Sequence, residues 1–119
     1  MNTFYWYPKC STCRKAKKFL DEHNVSYEAI DMITNTPDKA TILAWLERKD
    51  YPIRRYFNTS GQKYRASGLK EKLDEMSLEE CAEVLSQDGM LLRRPILVTE
   101  NGVAFGFKED QYKEMLNLD

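Results

Sequence analysis

Two cysteines separated by Ser11 and Thr12, within "TFYWYPKCSTCRKAKKFL" (residues 3–20), are the residues of this chain best suited to chemistry. A C-x-x-C pair can act as a thiol–disulfide couple, supply half of a metal site, or merely pack. Electrostatics favours the first. Cys10 falls at the start of a predicted helix, where unpaired backbone N–H groups and the positive end of the helix dipole stabilise a thiolate, and Lys9 and Arg14 flank it in sequence. Its pKa is therefore expected to fall. Cys13, one turn further in and better shielded, suits a resolving thiol that attacks oxidised or disulfide-bonded Cys10. A structural zinc takes four ligands, and the remaining candidates are a distant Cys81 and a single His23 near the end of the same helix. The second ligand pair is missing, so no metal and no other cofactor is expected.

Arg93-Arg94-Pro95 is the second chemical element. Arginine presents a rigid planar fork that binds an oxyanion or carboxylate bidentately and keeps its charge. A proline just ahead of a strand is compatible with either peptide isomer, and two solvated arginines would carry the same letters. Cys81 lies on the apolar stripe of a predicted helix and reads as an inert core cysteine. "FNTSGQKYR" offers hydroxyls, the Asn58 amide, backbone N–H groups around Gly61, and Arg65, which together could line an anion pocket or an ordinary surface loop. Tyr5, Trp6 and Tyr7 read as strand residues of the core, one face of which could floor the site.

These groups need elements to position them. Residues 3–7 are aromatic and β-branched, a short buried strand that Pro8 ends. Ser11 or Thr12 is the expected cap of a helix from about Cys13 to His23, with Ala16, Phe19 and Leu20 inward. "VSYEAIDM" then predicts a second strand, parallel to the first across the helical crossover. Thr36-Pro37-Asp38 predicts a helix start with Thr36 as cap, followed by an apolar stripe of Ile42, Trp45 and Leu46. "KDYPIRRYFNTSGQKYRASG" reads as irregular structure with a helical turn, and "LKEKLDEM" as a short helix. Ser77-x-x-Glu80 is a capping box opening a helix that Gly89 closes, and "LLRRPILVTENGVAFGF" is a hairpin turning at Asn101-Gly102. A last helix is expected over about Glu109 to Leu116. The order β-α-β, helical insert, β-β-α defines an α/β fold with a mixed sheet.

At 119 residues and 42% hydrophobic, the chain is long enough for one core, so a single domain over 1–119 with an insert at about 37–88 is expected. The net charge of −1 provides no overall field for nucleic acid or an anionic membrane, so any anion site must be local. An odd count of three cysteines argues against a disulfide framework. No basic segment precedes an apolar run at the N-terminus, and no apolar run approaches a membrane span; the expected location is the cytosol.

"FYWYPKCSTCRKAKKFL", "FNTSGQKYR", "DGMLLRRPILV" and "GFKED", in this order and spacing, resemble the ArsC/Spx family, and within it a YusI-like branch. The resemblance spans nearly the whole chain and implies a thioredoxin-like fold with a helical insert. It further implies a nucleophile at Cys10, an anion-binding Arg94, and a site beside Pro95, with Lys9, Ser11, Thr12, Arg14 and Asn58 as substrate-binding candidates. The implied activity is thiol-disulfide oxidoreduction of arsenate or another small oxyanion or disulfide, with thioredoxin, glutaredoxin or a low-molecular-weight thiol as reductant. Arsenate reductases of the family are similar in placing three arginines around the oxyanion, and only Arg94 matches one of them. Asn58 and Phe107 stand at the other two. Each missing charge-assisted contact forfeits on the order of 1.5–3 kcal/mol, whereas a disulfide substrate needs less charge. The Spx branch is also similar in its C-x-x-C and "LLRRPI", which implies the alternative of a redox-sensing regulator that binds RNA polymerase.

Overall fold

The computed structural model describes residues 1–118, and the chain folds as two compact units, Met1–Met32 with Arg94–Asp119, and Ile33–Arg93. The second unit encloses the segment 37–88 read from sequence as an insert. In the first, β1 (Asn2–Trp6), α1 (Ser11–Glu22) and β2 (Tyr27–Asp31) form the expected β-α-β, and β3 (Ile96–Thr99), β4 (Gly102–Phe105) and α5 (Glu109–Met115) complete it. The sheet order is β2-β1-β3-β4, with β1 and β2 parallel and the other pairs antiparallel. The mixed α/β sheet expected from the element order is the one observed.

Phe4 points to the inner face of β1 and is fully buried with Ala16, Phe19 and Leu20 of α1, Leu97, Ala104 and Tyr112. The 3.6-residue spacing of the α1 positions produces that stripe, and burying a side chain such as Phe4 contributes roughly 1.5–3 kcal/mol. Tyr112 is fully buried in this cluster because its hydroxyl donates to the Gly106 carbonyl at 2.9 Å. The hairpin turns one residue earlier than expected. Thr99 pairs with Gly102, so Glu100 and Asn101 form the loop, and Gly102 takes φ 143°, a conformation open to glycine.

In the second unit, α2 (Lys39–Glu47) packs against α4 (Leu78–Gln87), with Ile42, Trp45 and Leu46 meeting the apolar stripe that includes Cys81, Ala82 and Leu85. A third helix, α3 (Gln62–Ser67), and single 3₁₀ turns at Ile53–Tyr56, Leu69–Glu71, Leu73–Glu75 and Gly89–Leu91 build the remainder. The Ser77–Glu80 capping box forms in both directions, at 3.0 and 2.9 Å. Three local expectations are corrected. Asp38 caps α2 by accepting the Thr41 N–H at 2.8 Å, while the Thr36 hydroxyl turns back to the Ile33 carbonyl; a carboxylate is the better acceptor at the positive helix end. "LKEKLDEM" makes two i→i+3 turns rather than one helix, with Leu69 and Leu73 buried. Gly89 does not end α4 but sits buried in the next turn, which Asp88 caps through the Met90 N–H.

Candidate active site

Pro8 and Lys9 carry the chain from β1 to α1, and Cys10 is itself the helix cap, displacing Ser11 and Thr12 from the expected role. Its backbone is extended (φ −91°, ψ 122°), its carbonyl accepts the Arg14 N–H at 3.0 Å, and its Sγ accepts the Cys13 N–H at 3.4 Å. The sulfur takes the place that a serine or aspartate oxygen usually fills, because the N–H groups of the first turn lack helical partners. The loop is pinned by the Cys10 N–H to the Tyr7 carbonyl at 2.9 Å and by the Arg14 guanidinium to the Pro8 carbonyl, also 2.9 Å.

Arg94 reaches the same thiol from the other end of the unit. Its guanidinium lies 5.5 Å from the Tyr7 ring centre in a cation–π contact, and it hydrogen-bonds to Cys10. The Arg94–Pro95 peptide is cis, the Pro95 side chain is buried, and the Pro95 carbonyl accepts the Gly106 N–H at 2.8 Å, tying this turn to the end of β4. Arg93 turns elsewhere, donating Nε–H to the Arg55 carbonyl at 2.6 Å within the second unit. The two adjacent arginines thus serve different partners, Arg94 the Cys10 thiol and Arg93 the Arg55 carbonyl.

The two thiols are driven in opposite directions. At Cys10, half-exposed, partial burial raises the pKa, but the hydrogen bonds from Cys13 and the hydrogen bond and charge of Arg94 outweigh it and leave the thiol more acidic than usual. At Cys13, fully buried, burial dominates, the Tyr7 backbone bond opposes it, and the neighbouring Cys10 adds to it; the thiol is pushed up to about 12. The three cysteines are unbridged. Lys9, Ser11 and Thr12 are exposed beside Cys10, and Asn58 lies in the second unit, where its side chain accepts the Ser60 hydroxyl at 3.3 Å. Among the described residues, no group of three or more His, Cys, Asp and Glu side chains is placed to hold a metal ion. Nor is any helix among them long and apolar enough to cross a membrane.

Sequence reasoning assigned Tyr7 to the core and missed that its ring carries Arg94. Phe107, where a family arginine would stand, is partly buried and packs against the core, 5.6 Å from Phe19 and 4.9 Å from Tyr112, ring centre to ring centre.

Raised thiols tie stability to pH. Cys13 is protonated in the folded chain to about pH 12, whereas an unfolded thiol ionises near the ordinary 9.0. Its contribution is fully present below the unfolded value and is lost as pH rises through that window, because the unfolded state then holds fewer protons. Urea midpoints of the reduced protein should fall between about pH 9 and 10.5, with Cys13 contributing up to about 1.4 kcal/mol per pH unit. In Cys13→Ala the decline should be visibly shallower. An identical slope in the two proteins would show that Cys13 ionises at its ordinary value.

The fold and this thiol pair match a known class. The ArsC family profile covers residues 5–115, so the chain belongs to the ArsC family. It is 49% identical to the YusI protein of Bacillus subtilis over 112 residues, 94% of this chain and 95% of that one. It is 29% identical to the global transcriptional regulator Spx of Streptococcus agalactiae, over all of this chain and 85% of Spx. Among solved structures, a possible arsenate reductase from Streptococcus mutans superposes with a TM-score of 0.88 at 47% identity, covering 95% of this chain and 98% of the other. An ArsC family related protein from Bacteroides fragilis gives 0.89 at 38% identity, covering 96% of each chain. The architecture is the thioredoxin-like α/β fold that the sequence motifs implied.

Proposed function

We propose that the chain is a thiol–disulfide oxidoreductase in which Cys10 attacks, Cys13 resolves, and Arg94 steadies an anionic group on a small oxidised substrate. The observation that carries this reading is Cys10 as the cap of α1, its sulfur accepting the Cys13 N–H and meeting Arg94. Such a site makes the thiol more acidic than usual and raises its thiolate fraction, and the thiolate is the nucleophile. It attacks one sulfur of a disulfide; the S–S bond breaks and the other sulfur leaves with the electron pair and takes a proton from solvent. Cys13 then loses its proton and attacks Cys10 Sγ, releasing the second substrate thiol and leaving a Cys10–Cys13 disulfide. Two electrons have passed to the substrate, and an external dithiol such as thioredoxin or glutaredoxin, or two equivalents of a small thiol, returns them.

The coupling of the pair times the second step. Burial holds Cys13 protonated, and the Cys10 thiolate adds to that, whereas Arg94 acts the other way. Once Cys10 is tied up in a mixed disulfide its negative charge is gone and Arg94 remains, so Cys13 becomes more acidic when it must attack. Lys9, Ser11, Thr12 and Arg14 border Cys10 and, with Pro95, are proposed to meet the substrate. Phe107 supplies no charge, which favours a disulfide over an oxyanion such as arsenate, whose binding gains from several cations.

The Spx similarity supports a second reading, a redox-sensing regulator that holds RNA polymerase. One trap separates the two. Cys13→Ser should arrest Cys10 as mixed disulfides, so that partners captured from lysate are released by reductant, while oxidised wild type yields a Cys10–Cys13 bridge with Cys81 free in a peptide map. A bridge through Cys81 would overturn the assigned roles. Polymerase subunits that stay bound after reduction would put the regulator first.

A further inference from the structure

The second unit holds a cavity of about 740 Å³ whose lining is dominated by one charge. Arg54, Arg55, Arg65, Lys70 and Arg93 all border it, and among the described residues the lining contains no carboxylate. Two of these residues fall where "FNTSGQKYR" and "RRP" drew attention in the sequence, and the others come from the 3₁₀ turns beside them. The cations are braced. Arg54 donates to the Lys70 carbonyl at 3.2 Å and reaches exposed Asp74 at 3.2 Å. Arg55 lies over the Tyr51 ring at 5.5 Å, and Arg93 is anchored on the Arg55 carbonyl at 2.6 Å. Bringing like charges together costs energy that an unloaded protein gains nothing from, and a bound anion offsets it. The cost registers at Arg93, where burial and then the Arg55 charge both work against the protonated form.

We propose that this cavity binds a small molecule bearing two or more phosphate groups, through the guanidinium forks of Arg54, Arg55, Arg65 and Arg93 and the Lys70 ammonium. Planar forks match phosphate oxygens two at a time, which favours arginine over lysine in such a site. The volume falls within the roughly 300–1,000 Å³ typical of small-molecule clefts, well above the needs of a single oxyanion. A compact cluster of cations in an open cleft suits a compact polyanion, whereas an extended acidic peptide or a nucleic acid strand needs a stripe of charge along a surface. Thr59 and the Tyr64 hydroxyl add neutral polar groups to the lining. None of the residues of the thiol site takes part, so this inference stands apart from the proposed redox activity.

Calorimetric titration of the reduced full chain at fixed ionic strength tests it, with inorganic tripolyphosphate, pyrophosphate and phosphate as probes. Tripolyphosphate should bind at least about tenfold more tightly than phosphate, since each added phosphate group meets further cations. The double variant Arg65→Glu/Lys70→Glu changes two exposed side chains and should weaken tripolyphosphate binding by about tenfold or more. Lys15→Glu/Lys18→Glu, an equal change of charge on exposed positions of α1, should leave it within about twofold. Absence of binding at millimolar probe, or equal losses in the two double variants, would overturn the site. So would displacement of tripolyphosphate by a poly-glutamate peptide at lower concentration per charge, which would assign the cluster to an acidic protein partner.

Discussion

At pH 7, iodoacetamide should modify Cys10 at least ~30-fold faster than Cys13, as read by mass-spectrometric site assignment against time. The two thiols differ first in population. With Cys13 near 12 and Cys10 below the ordinary 9.0, the thiolate fraction differs by at least ~10³ at neutral pH. Nucleophilicity falls with pKa at a Brønsted slope of about 0.5, which returns roughly half of that logarithm and leaves the ~30-fold minimum. Burial enlarges it, because no part of Cys13 is exposed while Cys10 is open to reagent. Cys81 should be as slow as Cys13. It too is fully buried, and burial followed by the Glu80 charge raises its pKa. The rate at Cys10 should climb with pH to a midpoint below 9.0, since the N-terminal hydrogen bonds and Arg94 outweigh its partial burial. Faster modification of Cys13 or Cys81 below neutral pH would remove Cys10 from the role of nucleophile.

Much of this site was legible because the relevant signals are local. A strand ended by Pro8, a C-x-x-C, and a helix with Ala16, Phe19 and Leu20 on one face place Cys10 at a helix start, whatever the rest of the chain does. The Ser77–Glu80 box was equally readable, since both partners lie within four residues. Competition between neighbours was harder to judge. Asp38 outbids Thr36 for α2, and Cys10 takes the cap from Ser11 and Thr12, because several adjacent side chains can accept the same N–H and only the path of the chain selects one. The hairpin shifted by a residue for a similar reason: Thr99 pairs with Gly102, so the two-residue loop is Glu100-Asn101 and the register sits one residue earlier than the Asn-Gly signal suggests. Long-range side-chain contacts were less visible. Nothing near Tyr7 in sequence announces Arg94 over its ring, and the cations of the second unit are scattered from Arg54 to Arg93 until the 3₁₀ turns and α3 gather them. Phe107 shows the converse, a position that motif matching ties to an anion and whose ring instead packs against the core.

Arg94→Ala should lower kcat/KM toward a disulfide substrate by about one to two decades, the equivalent of roughly 1.5–3 kcal/mol for a lost charge-assisted contact. Two effects of the residue combine in that figure. Arg94 stabilises the Cys10 thiolate by a hydrogen bond and by its charge, and it presents a fork to an anionic group on the substrate. They separate in the measurement. Loss of the first moves the midpoint of the Cys10 alkylation profile to higher pH with no substrate present, whereas loss of the second raises KM for a carboxylate-bearing disulfide more than for a neutral one. Arg94→Lys keeps the charge but not the planar fork, and its flexible ammonium forms a weaker contact with Tyr7. It should retain most of the pKa effect and lose most of the substrate effect. Arg93→Lys should leave both readouts unchanged, because Arg93 is anchored on the Arg55 carbonyl and does not act on Cys10. Variants must be compared at matched folding stability, for the Arg94–Pro95 turn is tied to the sheet through Gly106. Equal alkylation profiles and equal kcat/KM in wild type and Arg94→Ala would leave Cys10 activated by the helix terminus alone, with substrate specificity set by the exposed Lys9, Ser11 and Thr12.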